Sequence, residues 1–398
     1  MVFNFRLFFN LTFRAFFKTK NTHGRLTFKR IKVLVLWYLL FPFHNLVTWI
    51  CFFLDNIFYP SNKTLEIKEP IFIVGNFRSG STLLHRVLTK DKKSFTSMKT
   101  WEIYLAPSII QRKFWRKLGI IDRRILGGLL MRLLCLFDEN QFGEMPLHKF
   151  GIFEAEEDEG LLLHIWSSSL LMFVFPFLEA LPPYLFFDSF LPVEERHKVM
   201  AFYKRCVQRH LYSNPGKQYI VKNPTFTAKI ETLKEFFPDA KFIYLVRNPV
   251  DMIASMTNYF SYVFHYFGSP KEKYPYKDEI LQFTKHWYTY PLELFKQYQA
   301  EEYLIINYDD LVGKLDDSVK GIYRQFNMQM SDEFAKILDL ASDSAANYVS
   351  KPKYFLAQMG YTPEQVYNNY KNVFEQFKFK LETKTMMVEA REHEAVMD

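Results

Sequence analysis

Cysteine is scarce in this 398-residue chain: Cys51, Cys135 and Cys206 stand far apart and are odd in number. They give no disulfide framework and no metal-ligand spacing, and they fit a reducing compartment. The ten histidines form no H-x-x-x-H pair suited to zinc, so no metal is expected. Acidic residues are missing from residues 1–32, which carry eight Lys or Arg. Charge of either sign is missing from Val33 to Leu54, a run of 22 residues. No internal repeat is evident.

What is present is apolar and aromatic. Hydrophobic residues make up 49% of the chain and 43 residues are Phe, so core material is ample for one large or two medium domains. The net charge is +8, and the basic N-terminus accounts for all of it. Bulky apolar residues interleave with those cations (VFNFRLFFNLTFRAFF), which disfavours nucleic acid as the partner. An amphipathic segment on an anionic membrane surface fits better. The uncharged run has the length of a bilayer span, about 20 residues. Pro42, His44, Asn45 and Thr48 sit near its middle, where polar groups are costly in lipid. A bent or in-plane hydrophobic hairpin, a spanning helix and a helix packed on a soluble body are the three arrangements open. The run is too long for a signal peptide, and no small-residue cleavage site follows. Residues 1–60 thus read as a membrane-association segment, monotopic or single-pass. The basic flank places the N-terminus of a spanning helix on the cytoplasmic side.

The rest reads as α/β. Short apolar runs at 71–75, 218–222, 241–246 and 303–307 predict strands. Helical patterns at 81–90, 196–212, 225–236, 249–260 and 278–299 separate them. That alternation predicts a mostly parallel sheet with helices on both faces. Residues 100–195 are aromatic and interrupted by Pro146, Pro176, Pro182, Pro183 and Pro192, and read as a helical insertion. Residues 380–398 are polar and mixed in charge, and read as a mobile tail or isolated helix.

Residues 70–90, PIFIVGNFRSGSTLLHRVLTK, carry the strongest chemical signal. An apolar strand enters a glycine loop, and the loop opens a helix. Gly75 and Gly80 allow close approach of the backbone to an anion. Ser79, Ser81 and Thr82 add hydroxyls at the helix N-terminus, where unpaired N–H groups and the helix dipole favour negative charge. Arg78 adds a fixed cation. The kinase-type loop G-x-x-x-x-G-K-[ST] has its lysine where this chain has Ser81. Without it the loop is poorly suited to a β/γ-phosphate pair.

A second stretch, KFIYLVRNPVDMIASMTN (241–258), places Arg247 at a strand end and Ser255 eight residues later. Together the two stretches resemble the sulfotransferases that use 3′-phosphoadenosine 5′-phosphosulfate (PAPS). The segments YIVKNPTFTAKIETLKEFFPDA (219–240) and EAEEDEGLL (154–162) resemble a bacterial, membrane-associated branch of that family. The resemblance covers residues 65–378. It implies a P-loop-like sulfotransferase fold with PAPS as co-substrate and a hydroxyl acceptor. Its first loop, Gly75 to Thr82, would hold the 5′-phosphosulfate, and Arg247 with Ser255 the 3′-phosphate. The best-known members carry lysine where this chain has Arg78.

Sulfuryl transfer needs a cationic cradle, a charge near the leaving oxygen and a base for the hydroxyl proton, as phosphoryl transfer does. Arg78 is the candidate for the leaving phosphate. Lys222, at a strand end, is the candidate for the sulfuryl or bridging oxygen; a solvated strand-end lysine is the alternative. The acidic run Glu154, Glu156, Glu157, Asp158 and Glu159 is the source of the base. Crowded carboxylates raise one another's pKa, and resemblance to the branch puts Glu157 first and Glu159 second. A solvated acidic helix start is the alternative there. His85 is the rival base, against the reading of a satisfied core histidine. Lys351 and Lys353, in SKPKYFLAQMGYTPEQV, are candidates for the 3′-phosphate or adenine, against an ordinary exposed turn. The acceptor reads as a lipophilic alcohol such as a sterol, an isoprenoid quinol or a lipid. A nucleotide-dependent kinase and a non-catalytic membrane-bound nucleotide binder are the competing functions.

Overall fold

The computed structural model describes residues 2–142, 151–346 and 355–381. Five strands form one parallel sheet: β1 Ile71–Gly75, β2 Phe95–Thr96, β3 Gln218–Lys222, β4 Lys241–Val246 and β5 Tyr303–Asn307. Their order is β2-β3-β1-β4-β5. The four apolar runs are the four long strands, as expected. The two-residue edge strand β2 has too little apolar pattern to be read from sequence.

Alternation along the strands sorts side chains into two cores. Phe72, Val74, Tyr219, Val221, Phe242 and Tyr244 lie in the larger one. Ile71, Ile73, Ile220, Ile243, Leu245 and Ile306 lie in the other, with Leu84 and Leu88 of the helix after the glycine loop. Strands buried on both faces read as continuous apolar runs, which is why they are legible. Central β1 pairs with β3 on one side (Ile73↔Lys222) and β4 on the other (Gly75↔Leu245). The segments leaving the C-terminal ends of all three strands therefore converge, at the edge where such sheets bind ligands.

Helix boundaries shift modestly. The 225–236 pattern divides into a 3-10 turn, Pro224–Ala228, and a helix, Ile230–Phe236. The 249–260 pattern runs on to Phe267. The uncharged run belongs to one continuous helix, Phe28–Phe58, with Pro42 inside it, and not to a hairpin. A proline removes one backbone hydrogen bond and bends a helix, but packing along its length holds this one together. Its polar residues face the protein. Asn45 donates to the His164 carbonyl at 3.1 Å, and Thr48 accepts from Gln111 at 3.0 Å. The Asp55 carboxylate accepts the Ile109 and Ile110 amides at 2.9 and 3.0 Å. Arg30 reaches the Phe267 carbonyl at 2.9 Å. Ahead of it, the helix Phe5–Phe17 buries Leu7, Leu11 and Ala15 in the larger core.

A buried ion pair ties the acidic run to the segment after β3. Glu159 and Lys229 are both fully buried and 2.6 Å apart. The same carboxylate accepts from Thr225 Oγ1 at 2.8 Å, and from Ser168 and Ser169 on its other oxygen. Removing one partner of such a pair strands the other charge in the core. Lys229→Met is therefore expected to lower the unfolding free energy by about 3–5 kcal/mol. Chemical denaturation followed by tryptophan fluorescence reads this, and an unchanged midpoint would show that the ammonium is not needed.

Candidate active site

The loop after β1 is shaped by two close approaches. A Cβ on Gly75 would lie 2.4 Å from the Leu245 carbonyl oxygen, and φ there is +134°. A Cβ on Gly80 would lie 2.9 Å from the Tyr308 ring, with φ +87°. Thr227 Oγ1 closes the base of the loop, accepting from the Gly75 amide at 2.8 Å and donating to its carbonyl at 3.0 Å. Arg78 itself has φ +67°. Holding a non-glycine residue there costs roughly 1–3 kcal/mol, and such strain gathers at ligand sites. Left-handed residues at 78 and 80 curl the backbone in the manner of an anion-binding nest.

The two motifs that the sequence separates by some 170 residues meet here. Arg78 Nε donates to Ser255 Oγ at 3.0 Å. Arg247 Nη1 donates to the Arg78 carbonyl at 2.8 Å. The Arg247 guanidinium lies 4.3 Å from the centre of the Tyr308 ring, and its own carbonyl accepts from Tyr288 at 2.6 Å. Two buried donors beside this cluster have no protein partner, Ser79 Oγ and Arg247 Nε. Unpaired buried polar atoms are costly. A glycine cradle with two buried unpaired donors fits an anionic group.

Across from the loop, Lys222 is buried at the end of β3. Its Nζ lies 2.6 Å from Glu157 Oε1 and 3.4 Å from Glu156 Oε1. Burial alone would lower its pKa, but Glu157 and Glu156 outweigh it and hold it above the usual lysine value. The ammonium is therefore charged, and Lys222 is not a solvated strand-end residue.

Four of the five acids in the run have polar side-chain partners, and two of these four, Glu156 and Glu157, share Lys222. Asp158 accepts from Tyr203, from Tyr219 at 2.8 Å and from Asn223 at 2.9 Å. Burial pushes its pKa up to about 6, against the pull of those three hydrogen bonds. Glu159 is enclosed by Lys229, Thr225, Ser168 and Ser169 and does not line the cleft. His85 does not line it either. Its Nε2 is 3.0 Å from Ser97 Oγ, and burial, helped by the Lys222 charge, pushes its pKa down to about 3. Lys351 and Lys353 lie outside the described residues.

A cavity of about 2050 Å³ opens beside these groups, and Ser79, Lys222 and Ser255 are not among the residues that line it. Arg78, Ser81, Thr82, Glu157 and Arg247 line its polar end. Leu36, Leu40 and Phe43 of the helix Phe28–Phe58, with Trp101 and Leu105, line its apolar end. Glu156, of the acidic run, also faces it, as do residues not singled out from sequence. Glu156 shares Lys222, Tyr308 backs both Gly80 and Arg247, and Tyr104 and Tyr259 lie near the acidic pair. Tyr308 had a signal, since it follows directly on the end of a legible strand, where sheet ligands bind. Thr227 had none.

Comparison with known proteins agrees with this geometry. The chain is 25% identical over 286 residues to an omega-hydroxy-beta-dihydromenaquinone-9 sulfotransferase of Mycobacterium tuberculosis (strain CDC 1551 / Oshkosh). The same values hold for the protein of that name from Mycobacterium bovis. The match covers 67% of this chain and 64% of those relatives, so it spans less than two thirds of their length. Among solved structures, the sulfotransferase STF9 of Mycobacterium avium superposes with a TM-score of 0.70 at 15% identity, covering 96% of this chain and 99% of that one. The sulfotransferase STF1 of Mycobacterium tuberculosis H37Rv gives 0.65 at 19% identity, with 92% of each chain covered. At such identities these structures speak for the fold. The family model described as "Sulfotransferase family" matches residues 70–332, a span that takes in the glycine loop, the acidic run, Lys222 and the arginine–serine pair, and the chain belongs to that family.

Proposed function

We propose that the protein moves a sulfuryl group from PAPS to the hydroxyl of a lipophilic alcohol at a membrane surface. The observation that carries this reading is the single cavity that runs from the loop and Glu157 to the apolar side of the helix Phe28–Phe58. A hydrophilic acceptor would gain little from that wall. The named activity of the mycobacterial relatives, on a menaquinone derivative, points the same way. A kinase reading would need a lysine where Ser81 stands.

In this reading the loop Gly75–Thr82 and Arg78 hold the 5′-phosphosulfate of the donor. Arg247 and Ser255 hold its 3′-phosphate. The acceptor oxygen forms a bond to sulfur as the bond from sulfur to the 5′-phosphate oxygen breaks, and the hydroxyl proton passes to Glu157. Lys222 holds the Glu157 carboxylate in place at 2.6 Å, and its charge faces the negative charge that builds on the transferring oxygens. Glu156 stays with Lys222 when Glu157 turns to the acceptor. Glu159 and His85 position neighbouring segments and take no proton from the acceptor. The helix Phe28–Phe58 lies in the plane of the interface. Its N-terminal end, middle and C-terminal end are all bonded to the globular body, as a helix crossing the bilayer away from that body would not be.

Arg78→Ala should lower turnover more than it weakens binding of the product nucleotide PAP, because the guanidinium matters most as the 5′-phosphate departs. Arg78→Lys should keep much of the activity. Rapid-quench kinetics with labelled PAPS, beside calorimetry with PAP, separates the two effects. An Arg78→Ala enzyme with undiminished turnover would move the role elsewhere.

Glu157→Gln should cut turnover by about 10²–10⁴-fold, the usual contribution of a positioned general base, with PAP affinity little changed. If Glu159→Gln in a folded protein had the same effect and Glu157→Gln had none, the base assignment would be reversed.

Arg247→Ala and Ser255→Ala should both weaken PAP and leave ADP, which lacks the 3′-phosphate, nearly unaffected. Equal loss of both nucleotides in calorimetry would remove the 3′-phosphate from this pair.

A further inference from the structure

The helix Ile109–Ile125 and the start of the next helix, Leu129–Phe142, form a hairpin outside the site described above. Its polarity is inverted. Ile110, Phe114, Leu118, Ile121 and Ile125 repeat at spacings of four, four, three and four, the pattern of an apolar helix face. In a soluble protein that face is buried. Here Phe114 is 58% exposed, Ile121 49% and Ile125 74%. The next helix continues the surface with Leu129, Leu133, Leu134 and Leu136, all exposed.

Charge follows the same logic. Residues 109–136 hold seven Lys or Arg and one acid, Asp122. That acid is buried and serves the turn. Its carboxylate accepts the Leu130 and Met131 amides at 2.9 and 3.1 Å, and its carbonyl accepts the Gly128 amide at 3.0 Å. Gly127 and Gly128, at φ +59° and +82°, complete the reversal. The hairpin is thus a built element whose outward charges are all positive. Lys117 and Arg124, seven residues apart, flank the apolar stripe on one side. The hairpin sits beside the helix Phe28–Phe58, to which Asp55 and Thr48 fasten it.

We propose that this hairpin is a second membrane-docking element, which seats its apolar face in the interface of an anionic bilayer. Exposed Phe, Ile and Leu beside basic residues are the features of an interfacial amphipathic helix. A second copy of the chain is a poorer occupant, because it would bring like charges together around the apolar patch. Nucleic acid has no use for the exposed aliphatic stripe. The proposal is independent of the sulfuryl-transfer reading, and its test measures binding and not turnover.

Cys135 lies on the hairpin and is exposed, whereas Cys51 and Cys206 are buried. A thiol-reactive, environment-sensitive dye therefore marks this element in the full-length native chain. Vesicles of phosphatidylcholine containing roughly a third phosphatidylserine should shift its emission to the blue, and brominated lipids should quench it. Pure phosphatidylcholine should do so more weakly. In co-sedimentation, Ile121→Ser with Ile125→Ser, and separately Lys117→Glu with Arg124→Glu, should lower the bound fraction of full-length protein at least five-fold. Both variants alter exposed side chains, so their melting temperatures should match the parent's. Dye emission unmoved by vesicles, or variants that bind like the parent, would overturn the proposal. An emission shift that grows with protein concentration in the absence of lipid would assign the face to a second copy instead.

Discussion

A buried ammonium cannot be left without carboxylates, and Lys222 sits buried at the end of β3. That constraint brings the acidic run across the sheet from more than sixty residues earlier in the chain. Four consecutive acids then find partners on one short segment. Glu156 and Glu157 take Lys222, Asp158 takes Tyr219 and Asn223, and Glu159 takes Thr225 and Lys229. Asp158 and Glu159 tie neighbouring segments together, and Glu156 and Glu157 line the cavity beside the glycine loop. The acidic run is thereby held at the exit of β3, the strand that neighbours β1 and its glycine loop.

Sequence reveals those parts of this arrangement that depend on local pattern. Strands buried on both faces are continuous apolar runs, and a glycine loop between strand and helix is a local motif. The arginine and serine eight residues apart are local too. What sequence could not show is which partner each acid takes, because that depends on long-range register. Read as a crowd, Glu157 and Glu159 look alike. In the fold, one lines a cleft and the other is sealed by four polar neighbours. His85 has the same ambiguity. One step from the lining residue Arg86, it turns inward to Ser97. Thr227 gains its place only because β1 and the turn after β3 lie side by side.

The N-terminal helix teaches a related point about averages. Pro42, Asn45 and Thr48 make its uncharged run a poor bilayer span, and the fold gives Asn45 and Thr48 work on the inner face. The outer face keeps Val35, Leu39, Leu46, Ile50 and Phe53 exposed. A window average merges two faces that meet different surroundings. Net charge misleads in the same way. Beyond residue 32 the chain balances, yet residues 109–136 carry six exposed cations, while Arg112 and the one anion, Asp122, are buried. The balance hides a strongly basic surface beside an apolar one.

Size completes the argument about chemistry. Pockets for one small ligand are usually about 300–1,000 Å³, and this cavity is about 2050 Å³. In-line transfer between two substrates requires both to be present together, with the reacting atoms at their junction. The polar end, with its glycine cradle and two arginines, offers cations and hydroxyls, while the apolar end offers Leu36, Leu40 and Phe43. A hydroxyl on a long apolar molecule entering from that end would come to rest where polarity changes, and Glu157 stands there, held by Lys222. In the proposed function an acceptor polar along its whole length would still lose hydration against Leu36, Leu40 and Phe43, although Lys29, Lys32 and His44 of the same helix also line the cavity. In the proposed function, selectivity for the acceptor rests on this change in lining along the cavity, and not on any one residue that recognises the hydroxyl.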